Sequence, residues 1–150
     1  MTLQGTIITP TPDMDGWSAE MRPASFVIRA PAGPDGQDQT CLIYSGSAWR
    51  FPADQLPAVR ALLREASRWF RTVWRFDPAT GHVFGPDSDL ASRRDGDYIV
   101  LRSERFAAPG NDALELSYAE LPIVRRRLKG QHSAMRLEQR KASDGIRPHR

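Results

Sequence analysis

The chain has 150 residues, 40% of them hydrophobic and 26% charged, with a formal net charge of +3, which is typical of one soluble globular domain. Its apolar runs, such as Tyr98–Leu101, are too short to span a bilayer, and Met1–Asp13 lacks the pattern of a cleaved secretory signal. A lone cysteine, Cys41, excludes an internal disulfide. We therefore expect one cytoplasmic domain over residues 1–150, without membrane contact.

The N-terminal part predicts strands followed by a helix. Leu3–Thr9 has a strand pattern, and Trp17 in the following loop is expected to fill a gap in the core. Phe26–Arg29 and Cys41–Tyr44 flank a loop rich in proline and glycine, a pattern that predicts a hairpin. A helix is predicted over about 54–73, with Asp54 or the residue before it as its cap.

This first helix has an apolar stripe and a basic side. The apolar residues recur at steps of three and four, which predicts packing on a sheet. They are Leu56, Val59, Leu63, Ala66, Phe70 and Val73. The arginines Arg60, Arg64, Arg68, Arg71 and Arg75 follow another side. We interpret them as a solvated face.

The C-terminal half has a similar plan. Residues 74–89, with a turn at Asp77–Gly81, predict a third hairpin or an added strand. Tyr98–Arg105 and Ala113–Tyr118 flank a turn and predict another hairpin. A second helix is expected from Leu121, with Leu121, Val124, Leu128 and Met135 inward and Gly130 as an end or a bend.

One internal similarity suggests that the two halves are related. Phe51–Arg64 aligns with Leu116–Lys129 at an offset of 65 residues, with five of fourteen positions identical. Helix-start chemistry alone also produces such a match, so duplication stays open. We predict an α+β fold in which antiparallel sheets pack with two helices in a pseudo-two-fold strand–turn–strand–helix repeat. Its halves are residues 1–75 and 76–141, followed by a flexible basic tail over 142–150.

The sequence offers little support for catalysis. The histidines His82, His132 and His149 form no readable triad with a serine, and the single cysteine excludes a structural zinc site. Asp87, Asp89, Asp95 and Asp97 surround two arginines and are interpreted as a solvated loop. Neither a phosphate-binding lysine loop nor a dinucleotide-binding glycine motif occurs. We expect a protein that is not an enzyme and that uses no metal or cofactor.

The distribution of charge points to an anionic partner. Residues 1–120 hold 12 arginines and 16 acidic residues, a net charge of −4, whereas residues 121–150 hold 9 basic and 2 acidic residues, a net charge of +7. Clustered basic charge releases counterions from phosphate backbones. The predicted contacts are Arg125, Arg126, Arg127, Lys129, Arg136, Arg140 and Lys141.

Strand alternation adds a second set of candidate residues. It places Ile99, Leu101, Leu114, Leu116 and Tyr118 on the core face of the predicted second hairpin. Tyr98 and Arg102 fall on the other face, and Tyr44, with Arg29 or Arg50 beside it, is a possible counterpart in the first half. Rings beside arginines stack on the bases of single-stranded nucleic acid, although cross-strand packing explains the same residues.

The repeated plan over Phe26–Val73 and Tyr98–Lys141 resembles that of Whirly and PUR-type single-stranded nucleic-acid-binding domains. The resemblance is topological and includes no diagnostic motif. It implies that the sheet faces carrying Tyr44 and Tyr98 bind the nucleic acid, and that helices beginning at Leu56 and Leu121 cover the other side. The positive charge of this chain lies mainly on the helices and tail, whereas such domains bind with their strands.

A second hypothesis is a protein–protein adaptor, inhibitor or immunity-type protein whose basic helix binds an acidic partner. Its support is the same basic segment together with Trp17, Trp49, Trp69 and Trp74, any of which could anchor an interface if exposed. For either function the expected state is a monomer with pseudo-dimeric halves or a homodimer.

Overall fold

The computed structural model describes residues 6–8, 14, 16–22, 25–31, 42–44, 48–74, 89–104 and 113–146. Eight strands and two long helices lie in these ranges. The strands are β1 (Thr6–Ile8), β2 (Ser18–Met21), β3 (Ser25–Arg29), β4 (Leu42–Tyr44), β5 (Ala48–Pro52), β6 (Ala91–Asp95), β7 (Tyr98–Arg102) and β8 (Ala113–Ser117). The helices are α1 (Leu56–Trp74) and α2 (Leu121–Ile146), each preceded by a 3₁₀ turn, Ala53–Gln55 and Tyr118–Glu120. The chain is therefore α+β, as the sequence predicts.

The strands form two four-stranded antiparallel sheets. Sheet A has the order β1-β2-β3-β8, and sheet B has the order β4-β5-β7-β6. Short connections join β2 to β3 and β6 to β7, and Gly96 takes a φ of 60° in the second of these turns. Glycine adopts this left-handed conformation without the steric cost that a Cβ imposes.

Both hairpins predicted across the long loops are wrong. β3 pairs with β8 instead of β4, and β7 pairs with β5 and β6 instead of β8. β8 thus joins three strands of the first half in sheet A, whereas β4 and β5 pair with the second-half strands β7 and β6 to form sheet B through the contact of β5 with β7. The sequence pattern misleads because alternation specifies which face of a strand is buried, whereas the neighbouring strand is set by packing between distant segments.

Two segments of the first half have counterparts with the same element spacing in the second half, at two different offsets. β5, its 3₁₀ turn and the first residue of α1 recur as β8, its 3₁₀ turn and the first residue of α2, each 65 residues later. The hairpin β2–β3 has its counterpart in β6–β7, 73 residues later. Duplication of an ancestral unit stays a prediction.

One hydrophobic core joins both sheets and both helices. Trp17, which precedes β2, is buried as predicted and packs edge-on against Trp49 and Phe51 of β5, with ring centroids 5.8 and 5.7 Å away. Its indole N–H donates to Gln55 Oε1 over 3.0 Å. Tyr118 stacks on both Phe26 and Phe70, which ties sheet A to α1.

The apolar stripe of α1 packs on the core, with Leu56, Val59, Leu63 and Ala66 all buried. Asp54 is not the cap, because the 3₁₀ turn begins after Pro52 and no side chain caps it. In the second half, the Glu120 carboxylate accepts the backbone N–H of Ser117 over 3.1 Å. This capping interaction was absent from the sequence prediction.

Helix α2 is longer than predicted. It continues through Gly130 and extends to Ile146, so the segment expected to be a flexible tail begins as helix. Its buried side chains, Leu121, Val124 and Leu128, all belong to the first two turns. Met135 packs against the core and is only partly buried. Described α2 side chains beyond it are exposed up to residue 142.

We expect Trp17→Ala to lower the free energy of unfolding by about 3–5 kcal/mol, because it removes a large buried ring from the junction of the two sheets. Urea denaturation followed by circular dichroism measures this change. Ile7→Ala is the control, because Ile7 is 62% exposed and the substitution should change stability by less than about 0.5 kcal/mol. Equal effects of the two substitutions would contradict a core built around Trp17.

Candidate nucleic-acid interface

The two helices lie side by side and run antiparallel. Arg60 of α1 donates from Nη1 to Nδ1 of His132 on α2, and Arg125 of α2 donates to Ser67 Oγ on α1 over 3.1 Å. Moving forward along α1 therefore means moving backward along α2. The two contacts hold Arg60 and Arg125 at defined positions between the helices.

An open cleft of about 320 Å³ lies between these two contacts. Its lining includes the apolar side chains Leu63 and Pro122. Every other described residue that lines it is a cation: Arg60, Arg64, Arg125, Arg126 and Lys129. No acidic side chain is among the described lining residues, so the cleft favours anions.

The ionisable groups at this site show the same electrostatic environment. Burial, followed by the positive charges of Arg64, Arg136 and Arg125, lowers the pKa of Arg60. Burial, followed by Arg60 and Arg136, lowers the pKa of His132 below its usual 6.5. His132 is therefore neutral at pH 7, and its Nδ1 is free to accept the hydrogen bond from Arg60.

The basic row continues along α2 beyond the cleft. Arg125, Lys129, His132, Arg136 and Arg140 follow one another at steps of four, three, four and four residues, which keeps them on one side of the helix. At a rise of 1.5 Å per residue the row is about 22 Å long. We define the cation ridge as Arg60 and Arg64 on α1 with Arg125, Arg126, Lys129, Arg136 and Arg140 on α2.

Ion pairing separates the ridge from other arginines. Arg22, Arg29, Arg68, Arg93 and Arg94 each lie within 4.0 Å of a carboxylate of the same chain. In contrast, seven exposed cations of α1 and α2 form no ion pair with any residue that the structure describes. They are Arg64, Arg126, Arg127, Lys129, Arg136, Arg140 and Lys141. Within the part of the chain that the structure describes, unneutralised positive charge thus lies mainly on the two helices.

Two of the predicted site residues, Arg127 and Lys141, do not belong to the cation ridge. Arg127 is turned toward the start of β6: its Nε donates to the carbonyl of Leu90, the residue before β6, over 3.1 Å, which helps to hold α2 on sheet B. Gln131 donates to Ser92 Oγ of β6 over 3.3 Å on the same side of α2. Lys141 is exposed near the end of the described α2 side chains.

Tyr98 and Arg102 lie on a separate surface, the outer face of sheet B. Ile99 and Leu101 point into the core, which leaves the alternate residues of β7 on the opposite face. The Arg50 guanidinium lies 4.1 Å from the centre of the Tyr98 ring. Arg102 is exposed and forms no ion pair within the described part of the chain. The side chain of Tyr44 lies outside the described residues.

The two sheets differ in charge at equivalent positions of their outer faces. In sheet B the register aligns Arg50, Val100 and Arg93 in one row. The corresponding row of sheet A is Glu115, Val27 and Glu20, and both of its carboxylates pair with arginines of sheet A.

Sequence reasoning missed the contribution of α1 to the site. Arg60 and Arg64 were interpreted as part of a solvated face, because arginines at helical spacing indicate only that they share one side. The packing of α2 against that side brings them into the cleft. Their neighbour Arg68 does pair in the way expected of a solvated face, with Glu65 at 2.8 Å.

Metal binding and membrane insertion find no support in the described residues. No three histidine, cysteine, aspartate or glutamate side chains among them are grouped closely enough to hold a metal ion. Asp89, one of the acidic loop residues, accepts hydrogen bonds from Ser103 and from the Glu104 backbone. Neither described helix combines the length and the apolar character that a membrane span requires.

The lowered pKa of His132 predicts a contribution to pH dependence. Between its folded pKa and its unfolded value of 6.5, the unfolded chain binds the proton and the folded chain does not, so this histidine reduces stability as the pH falls through that interval. As the pH is lowered from 7.5 to 5.5, we expect the free energy of unfolding of the native protein to fall relative to that of His132→Asn. Urea titrations measure it, and an NMR titration of His132 above pH 6.5 would contradict the assignment.

Comparison with known proteins gave no relative from which a role could be transferred. No protein-family model matches the chain, no curated protein matches it, and no solved structure matches it. The functional inference therefore depends on the cleft, the ridge and the outer face of sheet B.

Proposed function

We propose that this protein binds nucleic acid without catalysing a reaction, and that the cation ridge contacts the phosphates. The observation that carries the proposal is the convergence of five cations on one cleft whose described lining contains no acid. Five arginines elsewhere on the described surface, Arg22, Arg29, Arg68, Arg93 and Arg94, are paired with carboxylates. A surface that keeps its charge unneutralised can release counterions when it meets a polyanion.

The composition of the ridge favours phosphate as the anion. Its cations are arginines apart from Lys129, and the planar guanidinium donates two parallel hydrogen bonds to phosphate oxygens. The row on α2 extends about 22 Å, which is long enough to meet several phosphates in succession. A chain of phosphates matches a row better than one isolated anion does.

A preference for single strands is supported by the outer face of sheet B. Tyr98 and Arg50 stack there, with Arg93 in the same row as Arg50 and Arg102 at the other end of β7. Flat aromatic and guanidinium groups stack on exposed bases, which a duplex keeps paired.

The first test compares salt dependence in two double variants. Arg64→Ala/Arg126→Ala removes two ridge cations, and Arg68→Ala/Arg94→Ala removes two arginines that have carboxylate partners. For single-stranded DNA, loss of two phosphate contacts should make the slope of log affinity against log salt shallower by about 1.4, and lower the affinity at 0.1 M salt roughly 25-fold. Fluorescence anisotropy with a labelled oligonucleotide measures both quantities.

The two double variants remove the same net charge, so an equal effect would indicate general attraction and contradict a specific ridge. Absence of binding by the native protein at low salt would overturn the nucleic-acid proposal. The ridge would then be assigned to the second hypothesis, an acidic protein partner, whose carboxylates also pair with guanidinium groups. A pull-down with Arg64→Ala/Arg126→Ala as the control would test that assignment.

A second test concerns the bases. Tyr98→Leu should weaken binding of a single-stranded oligonucleotide about tenfold, since stacking on one ring contributes about 1–3 kcal/mol per base. The same substitution should leave binding of an abasic strand with equal phosphates unchanged. Tyr98→Phe, which retains the ring, is the control and should bind both strands like the native protein. Equal loss for both strands would assign Tyr98 a purely structural role.

A further inference from the structure

The cleft between α1 and α2 differs from the rest of the cation ridge in shape. Along the outer part of α2 the cations Arg136 and Arg140 lie on an exposed helix surface. In the cleft, five cations from two helices surround one space of about 320 Å³. A concave site with converging charges selects a compact anion, whereas an open row contacts an extended one.

The cleft also has an inner part held by hydrogen bonds and an exposed rim. Arg60 is held by its contact with His132, and Arg125 is held by its hydrogen bond to Ser67. Arg64, Arg126 and Lys129 are exposed and have no ion-pair partner among the described residues. Because Arg60 and Arg125 are already held, binding an anion costs less side-chain freedom than it would if all five cations had to be ordered.

We propose that this cleft binds a terminal phosphomonoester, so that the protein recognises the phosphorylated end of a nucleic-acid strand. The proposal rests on the proposed function and adds a specific ligand group to it. A phosphomonoester carries a charge of about −1.5 to −2 at pH 7 and has three terminal oxygens. An internal phosphodiester carries one negative charge and has two free oxygens. Five converging cations therefore favour the chain end.

Lowered pKa values at Arg60 and His132 are consistent with this ligand. Both shifts include repulsion from neighbouring cations, after burial as the larger cause. The titratable and charged groups around His132 include Arg60 from α1 and Arg136 from its own helix. A dianion in the cleft would reduce the repulsion among these arginines, because it supplies the negative charge that the described lining lacks.

The experiment compares one single-stranded oligothymidylate in three forms at pH 7.5: with hydroxyl groups at both ends, with a 5′-phosphate, and with a 3′-phosphate. A hydroxyl-ended strand two nucleotides longer supplies added charge without a terminal phosphate. We expect one phosphorylated form to bind about tenfold more tightly than the hydroxyl form. The longer control should gain much less. The two phosphorylated arms identify which end is recognised.

Matched variants assign the effect to the cleft. Arg64→Ala should remove the preference for the phosphorylated end, whereas Arg140→Ala, outside the described cleft lining, should weaken all forms equally and keep the preference. For each variant, the affinity for the phosphorylated strand is divided by the affinity for the hydroxyl-ended strand, so that a general loss of binding cancels. Equal binding of all end forms by the native protein would overturn the inference and leave the proposed function standing. Absence of binding by every form would overturn both, and loss of the preference in Arg140→Ala alone would exclude the cleft.

Discussion

The pairing of strands between the two halves of the chain, β5 with β7 and β8 with β3, is the constraint on which the rest of the structure depends. β5 and β8 each lead through a 3₁₀ turn into a helix, so this pairing brings α1 and α2 together over one shared core. Neither half could bury its apolar surface alone, because each sheet contains strands from both halves. The cleft between the helices is a direct consequence of this pairing.

The site gathers like charges that folding alone would keep apart. Arg60 lies near Arg64, Arg125 and Arg136, whose charges contribute to the lowered pKa of its guanidinium. Buried contacts beneath, made by Val59, Leu63, Val124 and Leu128, offset that repulsion. A surface that concentrates unneutralised charge above a stabilising core is expected where a binding site is retained at some cost in stability.

The positions of the helices and the buried faces of the strands were predicted well, whereas the pairing of the strands was not. The apolar stripe of α1 and the beginnings of both helices follow from residue spacing and from Pro57 and Pro122 in the first turns. Alternation correctly assigned Ile99 and Leu101 to the core. Pairing of β3 with β8 depends on contacts between residues more than 80 positions apart, and no local pattern encodes such contacts.

The sequence by itself determined the helices, the buried faces of the strands and the basic character of α2, because these depend on periodicity and composition along short segments. Only the tertiary structure decided which strands are neighbours, and with them the antiparallel contact of α1 with α2. That contact separates Arg60 and Arg64 from Arg68 and brings them into one cleft with Arg125 and Lys129. The physical reason is that a binding site requires convergence in space, and convergence arises from packing between elements that are distant in the chain.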